Sequence, residues 1–402
     1  MAVSSKSPTR QPGQALAVTA GVMLANVSGY VLTVVAARLL APAAFGELGA
    51  LLAVLLVGAV PAMALQTHVA LKVAADPDKS RRPVVGLGLA VAATITALAA
   101  LAVPVAVPLL RVADVGAVVW LAVCVGPLTL NGLWHGLLQG DRRYALFGAL
   151  VALEGGARVG GALVGLVWTG TTTGTLAGAA LGTAASTAVG WLSCRRPRPG
   201  RFRPADVREV LHAGQALLAV VVLVNLDLLL ARHVLPAAAS GEYAVGAVLT
   251  KIAYWLPHAI AVILLPRLAR PEGSGRALAS ALAVCAALDG VVVLGAALFG
   301  PTATRLIGGP SYADTALPLW AFALVGTLLA LAQLLLYARI AGRDRKATLL
   351  VWLAVAGETA LVMLWLNDSP AQTVSAAVVA TGLLVASGAV VEARARRHGR
   401  TT

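Results

Sequence analysis

The chain has 402 residues, of which 59% are hydrophobic and 12% are charged, and its formal net charge is +14. Soluble domains are about half apolar and about a quarter charged, so this composition excludes an ordinary water-soluble monomer. The basic residues lie in short clusters between apolar runs, with no basic domain. That distribution argues against nucleic acid as a partner and is typical of a membrane protein.

Apolar runs follow one another along the whole chain. A membrane-spanning helix needs about 20 mostly apolar residues, and on this rule we predict twelve spans. They cover residues 15–37, 48–71, 84–110, 117–139, 145–168, 173–193, 209–231, 243–266, 277–300, 314–338, 347–367 and 373–391. The separators within 84–139 and 145–193 are weak, which leaves ten or eleven spans as the alternative. The first run is too long for a signal peptide and is interpreted as a retained span.

The positive charges predict the orientation. Alternate connections and both termini hold 25 of the 31 Lys and Arg residues, and these include the linker 195–208. Cytoplasmic segments carry the Lys/Arg excess, so both termini of this multi-pass protein are predicted to face the cytoplasm. The plasma membrane is the expected location.

Landmarks recur in the same order about 200 residues apart. Arg38 and Arg232 each end an apolar run before a Pro and a Gly-Glu, and "LQGDRRYALFGALVALEGG" resembles "IAGRDRKATLLVWLAVAGE". We interpret the chain as two copies of a six-helix unit, related by an axis along the membrane normal as in parallel-repeat transporters. The predicted domains are an N-terminal bundle, 1–194, a basic linker, 195–208, and a C-terminal bundle, 209–402.

Several segments resemble bacterial polysaccharide flippases. "AARLLAPAAFGELGALLAV" followed by "PAMALQTHVALKVA" resembles their first two helices, "LLQGDRRYALFGAL" their fourth-to-fifth corner, and "NLDLLLARHVLPAAASGEYAVGAVL" their seventh and eighth helices. These flippases form the polysaccharide transporter branch of the multidrug/oligosaccharidyl-lipid/polysaccharide exporter superfamily. The resemblance implies an all-α fold of about twelve transmembrane helices in two bundles around a central, often cationic cavity.

Ionisable residues within spans are costly and mark functional or tightly packed positions. Asp227 lies about 7 Å below Arg232 and Lys251 about 14 Å past Glu242 on the next antiparallel helix, at 1.5 Å per residue. We therefore expect the two side chains to approach one another, either as a static ion pair or as a cation-coupling site. No charge stands at the matching positions of the first half.

Other charged residues give weaker candidates. Glu154 and Arg158 are four residues apart and share one helix face, so they form a self-satisfied pair or a cavity site in which Arg158 binds a phosphate. Glu358 is alone in its span and is a further ion-coupling candidate. Arg38 and Arg232 are expected to anchor helix ends, and the alternative is that they bind a substrate headgroup. Lys251 is a further candidate for binding that headgroup.

The resemblance implies transport of polyprenyl-pyrophosphate-linked oligosaccharide or a related glycolipid from the inner to the outer leaflet, for cell-surface polysaccharide synthesis. Membrane lipid, the glycan substrate and the glycosyltransferases or polymerase of that pathway are the implied partners. A cation-coupled exporter of small molecules is the alternative, and a membrane-embedded glycosyl- or acyltransferase a weaker one. The outer connections offer no carboxylate pair and no candidate catalytic His, and we expect no enzyme activity, cofactor or metal.

Overall fold

The computed structural model describes residues 11–268, 274–312, 315–341 and 346–398. Within these ranges the chain is helical and has no β-strand. The helices are α1 Gln11–Leu39, α2 Pro42–Gly58, α3 Val60–Ala75, α4 Pro77–Leu109, α5 Val115–Gly140, α6 Tyr144–Thr169, α7 Thr172–Ser193, α8 Pro204–Val234, α9 Ala237–Leu268, α10 Ser274–Gly308, α11 Leu319–Ala341, α12 Lys346–Leu364 and α13 Pro370–His398. A short 3-10 helix, Pro310–Tyr312, follows α10.

Each of the twelve predicted spans corresponds to one helix, except the second, which is divided into α2 and α3. The break falls at Ala59, and Pro61 occupies the first turn of α3. A proline there needs no amide hydrogen and its ring does not clash with a preceding turn. Pro61 therefore stands where the second predicted span divides into two helices. Pro104, by contrast, lies inside α4 without ending it.

Eight helical segments among the described residues are long and apolar enough to cross a membrane, judged by length and composition. Large apolar side chains on them are open to their surroundings, for example Leu101 and Leu298, each 74% exposed. Apolar surface of this extent is stable in lipid and not in water. The chain is a multi-pass, all-α membrane protein.

The helices pack into two compact units. The first contains Met1–Val35 and Gly58–Leu217. Its core includes Leu65 of α3, Leu87 of α4 and Leu133 of α5. In the same unit α6 and α7 approach closely, because a Cβ on Gly178 would clash with the carbonyl oxygen of Gly161. Small residues at every fourth position of α7 permit this close contact, namely Gly174, Gly178, Gly182, Ser186 and Gly190.

The second unit contains Ala36–Val57 and Leu218–Thr402. Here α2 packs on α9, and a Cβ on Gly241 would clash with the carbonyl oxygen of Pro42. Apolar residues of α8, α12 and α13 form a separate core cluster around Leu226, Val362 and Ala376. Residues 36–57 therefore pack with the C-terminal helices, whereas the repeat argument assigned them to the N-terminal bundle. The division of the chain at the linker 195–208 stays a prediction.

Candidate functional site

Two buried carboxylates and a tyrosine come together in the second unit. Asp227 is contributed by α8, Tyr243 by α9 and Glu358 by α12, and their exposed fractions are 4%, 0% and 1%. The hydroxyl of Tyr243 donates to Oδ2 of Asp227 at 3.0 Å. Glu358 lies near enough to interact electrostatically with both. We call these three residues the acid cluster.

Part of the hydrogen-bonding capacity near Asp227 is unused. Oε1 of Glu358 is buried and has no hydrogen-bond partner among the described residues. The same holds for Oδ1 of Asn225, two residues before Asp227, although its amide nitrogen donates to the carbonyl of Val221 at 2.8 Å. Carboxylate and amide oxygens are the ligands that small hard cations prefer. The chemistry of the acid cluster fits a cation better than an anion.

Lys251 lies near the acid cluster but forms no ion pair with its carboxylates among the described residues. Its charge interacts with Asp227, yet the described residues contain no ion pair between them. The expected ion pair is therefore not formed, and the side-chain hydrogen bond to Asp227 comes from Tyr243, on the same helix as Lys251. Lys251 is half-buried.

In the first unit Glu154 joins two helices. Nη1 of Arg158 contacts Oε1 of Glu154 at 3.1 Å, as its position four residues along the same helix predicts. Nε2 of His135, on α5, lies 3.6 Å from the other carboxylate oxygen. The side chains of Arg158 and Glu154 are 29% and 13% exposed. Arg158 thus already has a carboxylate partner, which favours the self-satisfied pair over a free phosphate-binding group.

Arg232 is almost fully buried in the second unit. Its Nη2 lies 3.5 Å from Oε2 of Glu47, and the two side chains are 4% and 5% exposed. Its Nη1 also donates to the carbonyl of Ala43 and to the hydroxyl of Ser240. Glu47 precedes the second predicted span, 48–71, but α2 begins at Pro42 and places Glu47 inside a helix. These contacts indicate that Arg232 ties α2 to α8 and α9.

Arg38 lies at the end of α1 and is exposed. Its Nη2 donates to the carbonyl oxygen of Leu306, near the end of α10, at 2.6 Å. This contact agrees with the expected role of an anchor between helix ends and leaves the rest of the guanidinium accessible.

One further group of metal-ligating residues exists among the described residues. His68 of α3 lies 3.4 Å from Glu209 of α8, and Asp206 completes the group. The ammonium of Lys72 is paired with Asp206. A divalent cation would have to displace this lysine, so the group is better explained as an ion-pair network between α3 and α8.

The sequence argument missed three partners, namely Tyr243, His135 and Glu47. Each meets its partner across two helices, and no spacing along the chain signals such a contact. The only available sign was that Asp227, Glu154 and Arg232 each needed a buried polar partner.

Solved structures with the same fold are transporters. The chain superposes on the lipid II flippase MurJ in its inward closed conformation with a TM-score of 0.74, at 12% identity, over 92% of this chain and 86% of that one. It matches an inward-facing multidrug resistance MATE family transporter of the MOP superfamily with a TM-score of 0.60, at 14% identity over 93% and 96% of the two chains. It matches an outward-facing multidrug resistance MATE family transporter with a TM-score of 0.58, at 12% identity over 97% of each chain.

No protein-family model and no curated protein sequence matches the chain. At these identities the structural likeness defines the fold, which is the one shared by MATE and MurJ transporters.

Proposed function

We propose that this chain is a secondary transporter of the plasma membrane. In this proposal it moves a polyprenyl-pyrophosphate-linked oligosaccharide, or a related glycolipid, from the inner to the outer leaflet by alternating access. The likeness to a lipid II flippase over 92% of the chain supports the substrate class. The headgroup crosses without chemical change, so no catalytic residue is required.

The observation that carries the proposal is the acid cluster. An ionised side chain near the middle of a membrane helix costs about 2.5–3.5 kcal/mol on insertion scales, and such residues commonly line ion pathways. Asp227 and Glu358 come from two different helices and neither has an ion-pair partner among the described residues. A purely structural role would be served by apolar side chains at a lower cost.

A cation bound by the acid cluster would change the packing of α8 and α12. When both carboxylates are ionised they repel one another across a medium of low dielectric constant. A bound cation removes that repulsion and favours the state in which the two helices approach. It drives transport only to the extent that it binds one conformation more tightly than the other. Lys251, half-buried and within electrostatic range, would compete with the cation for Asp227.

The experiment uses Asp227→Asn and Glu358→Gln in the full chain, reconstituted in liposomes with a labelled polyprenyl-pyrophosphate-linked sugar. Asp289→Asn is the control for loss of a buried carboxylate, because Asp289 of α10 lies in the same unit but its donor is the thiol of Cys285 on its own helix and not a residue of the acid cluster. We expect each cluster variant to lose gradient-driven flipping at least about tenfold, and to lose stabilisation by Na⁺ or by protons, while the control keeps both. Full flipping with unchanged expression in Asp227→Asn would end the coupling role.

The competing function is export of a small amphiphile driven by the same cation. It is favoured by the likeness to multidrug transporters over 93% of the chain or more. Efflux of a fluorescent cation such as ethidium from the same liposomes distinguishes the two. Efflux that depends on Asp227, without any flipping of the glycolipid, would replace the first proposal by the second.

A further inference from the structure

A second polar site lies in the first unit, outside the acid cluster. A cavity of about 900 Å³ opens where α4 begins, α5 ends, α6 begins and α7 runs into the linker. Seven arginines line it, against a single described carboxylate, that of Asp141. We call it the arginine pocket.

Two of these arginines, Arg81 and Arg143, are held in place by hydrogen bonds. Nη1 of Arg81 contacts both carboxylate oxygens of Asp141, at 2.9 and 3.3 Å, and Nη2 donates to the carbonyl of Cys194. Arg143 donates to the carbonyl of Ser193 at 3.2 Å. The single carboxylate is therefore already occupied and cannot neutralise the other guanidinium groups.

The remaining arginines carry uncompensated charge. Arg82, Arg142, Arg195 and Arg198 are exposed and have no ion-pair partner among the described residues. Arg196 stacks on Trp191, with its guanidinium carbon 5.5 Å from the ring centroid. Like charges held around one cavity repel one another, and an anionic ligand would relieve that repulsion.

The backbone holds these residues in place. Arg142, Arg195 and Arg196 have φ angles of 58°, 63° and 50°, in the left-handed region that non-glycine residues rarely adopt. Such conformations persist only where the surrounding structure imposes them, and they concentrate at functional sites. The linker is also attached to α4, because the amide of Gly200 donates to the carbonyl of Arg82 at 2.8 Å.

Membrane topology alone predicts basic residues at this end of the helices but not their convergence on one cavity. The basic lining residues are all arginines, whose planar fork matches phosphate oxygens better than a lysine ammonium does. Exposed aromatic side chains flank the pocket, Tyr144 next to Arg143 and Trp191 beneath Arg196. Tyr and Trp are enriched at the depth of lipid headgroups.

We propose that the arginine pocket binds the phosphate groups of an anionic phospholipid at the membrane surface. Basic pockets between transmembrane helices are known to accept such headgroups. A soluble pyrophosphate offers the same chemistry, and the experiment tests the two sources separately. This site does not depend on the proposed transport activity, because none of its residues belongs to the acid cluster.

The test compares the full chain with two triple variants in neutral detergent micelles. The first, Arg142→Gln with Arg195→Gln and Arg198→Gln, removes three charges from the pocket. The matched control, Arg201→Gln with Arg203→Gln and Arg208→Gln, removes three exposed charges from the same linker and the start of α8, outside the pocket lining. Glutamine leaves the left-handed backbone cost of the replaced arginines nearly unchanged.

The measurement is the affinity for cardiolipin, by native mass spectrometry and by thermal stabilisation, with sodium pyrophosphate as a separate titrant. We expect saturable cardiolipin binding that weakens by about tenfold or more in the pocket variant and less than about twofold in the control. Pocket-dependent binding of pyrophosphate alone would support the site and assign it to a soluble ligand. Equal losses in both variants, or no binding of either titrant, would overturn the proposal. If the triple variant fails to fold, Arg198→Glu in the exposed linker must give the same loss.

Discussion

The buried pair of Glu47 and Arg232 allows a quantitative stability experiment. Arg232→Met removes the guanidinium while retaining most of the apolar volume of the side chain. The acceptors that lose a donor include the Glu47 carboxylate at 3.5 Å, the carbonyl of Ala43 at 3.1 Å and the hydroxyl of Ser240 at 3.0 Å. Removing one partner of a buried ion pair costs about 3–5 kcal/mol.

We expect Arg232→Met to cost about 3 kcal/mol, the lower end of that range. Ser240 keeps a hydrogen bond, since its hydroxyl also donates to the carbonyl of Ala237 at 2.7 Å. Glu47→Gln should cost less, about 2 kcal/mol, because Arg232 still donates to the carbonyl of Ala43 and the hydroxyl of Ser240, and the ion-pair distance of 3.5 Å is long for a hydrogen bond.

The double variant Glu47→Leu with Arg232→Met replaces the pair by apolar groups. Its loss should be smaller than that of Arg232→Met alone, since neither charge is left without its partner. The free energy of unfolding is measured in mixed detergent micelles by tryptophan fluorescence. Glu242→Gln, which neutralises a half-buried carboxylate of α9, is the control and should change stability by less than about 0.5 kcal/mol. The single variants Glu47→Leu and Arg232→Met complete the cycle. Strict additivity of their two losses in the double variant, or a cost below about 1 kcal/mol for Arg232→Met, would refute this account.

Two further predictions concern the first unit. Gly178→Ala should lower the free energy of unfolding by about 1–3 kcal/mol, because its Cβ would meet the backbone of Gly161. Gly156→Ala is the control: its Cβ would face open space, and the change should be neutral or stabilising. A smaller loss for Gly178→Ala would contradict the packing of α6 on α7. The Thr173 hydroxyl and the Gly116 amide donate to Asp114 and hold its pKa below the ordinary value. The ionised carboxylate therefore stabilises the folded protein fully above the unfolded pKa of about 3.9, and this contribution disappears as pH falls through the folded pKa. Melting temperatures of Asp114→Asn and the unaltered chain should therefore differ at pH 7, and the difference should shrink as pH falls below the unfolded pKa of about 3.9. A difference that stays constant would exclude this role.

The positions of the helices could be predicted because lipid offers the backbone no hydrogen-bond partners. Every apolar run of sufficient length must satisfy its own amides, and a helix does so locally. The effect of proline was less predictable. Pro61 divides a span while Pro104 does not, because an interior proline is tolerated wherever neighbouring helices accommodate the freed carbonyl.

The candidate sites could be predicted only in part. Glu154 and Arg158 were paired correctly, since both lie on one helix and their spacing determines the geometry. For Asp227, depth along two antiparallel helices indicated Lys251, but depth does not determine rotation about the helix axis. The residue of α9 that donates to Asp227 is Tyr243, eight residues before Lys251.

The pairing of α2 with α8 and α9 has a consequence for synthesis of the chain. Ala43 and its hydrogen-bond donor Arg232 are 189 residues apart. At a translation rate of about 5–20 residues per second, α2 is made roughly 10–40 s before its partners leave the ribosome. Throughout that interval the guanidinium of Arg232 is not available to Glu47. Biogenesis, as well as the stability of the finished protein, is therefore expected to be sensitive to changes at residue 47.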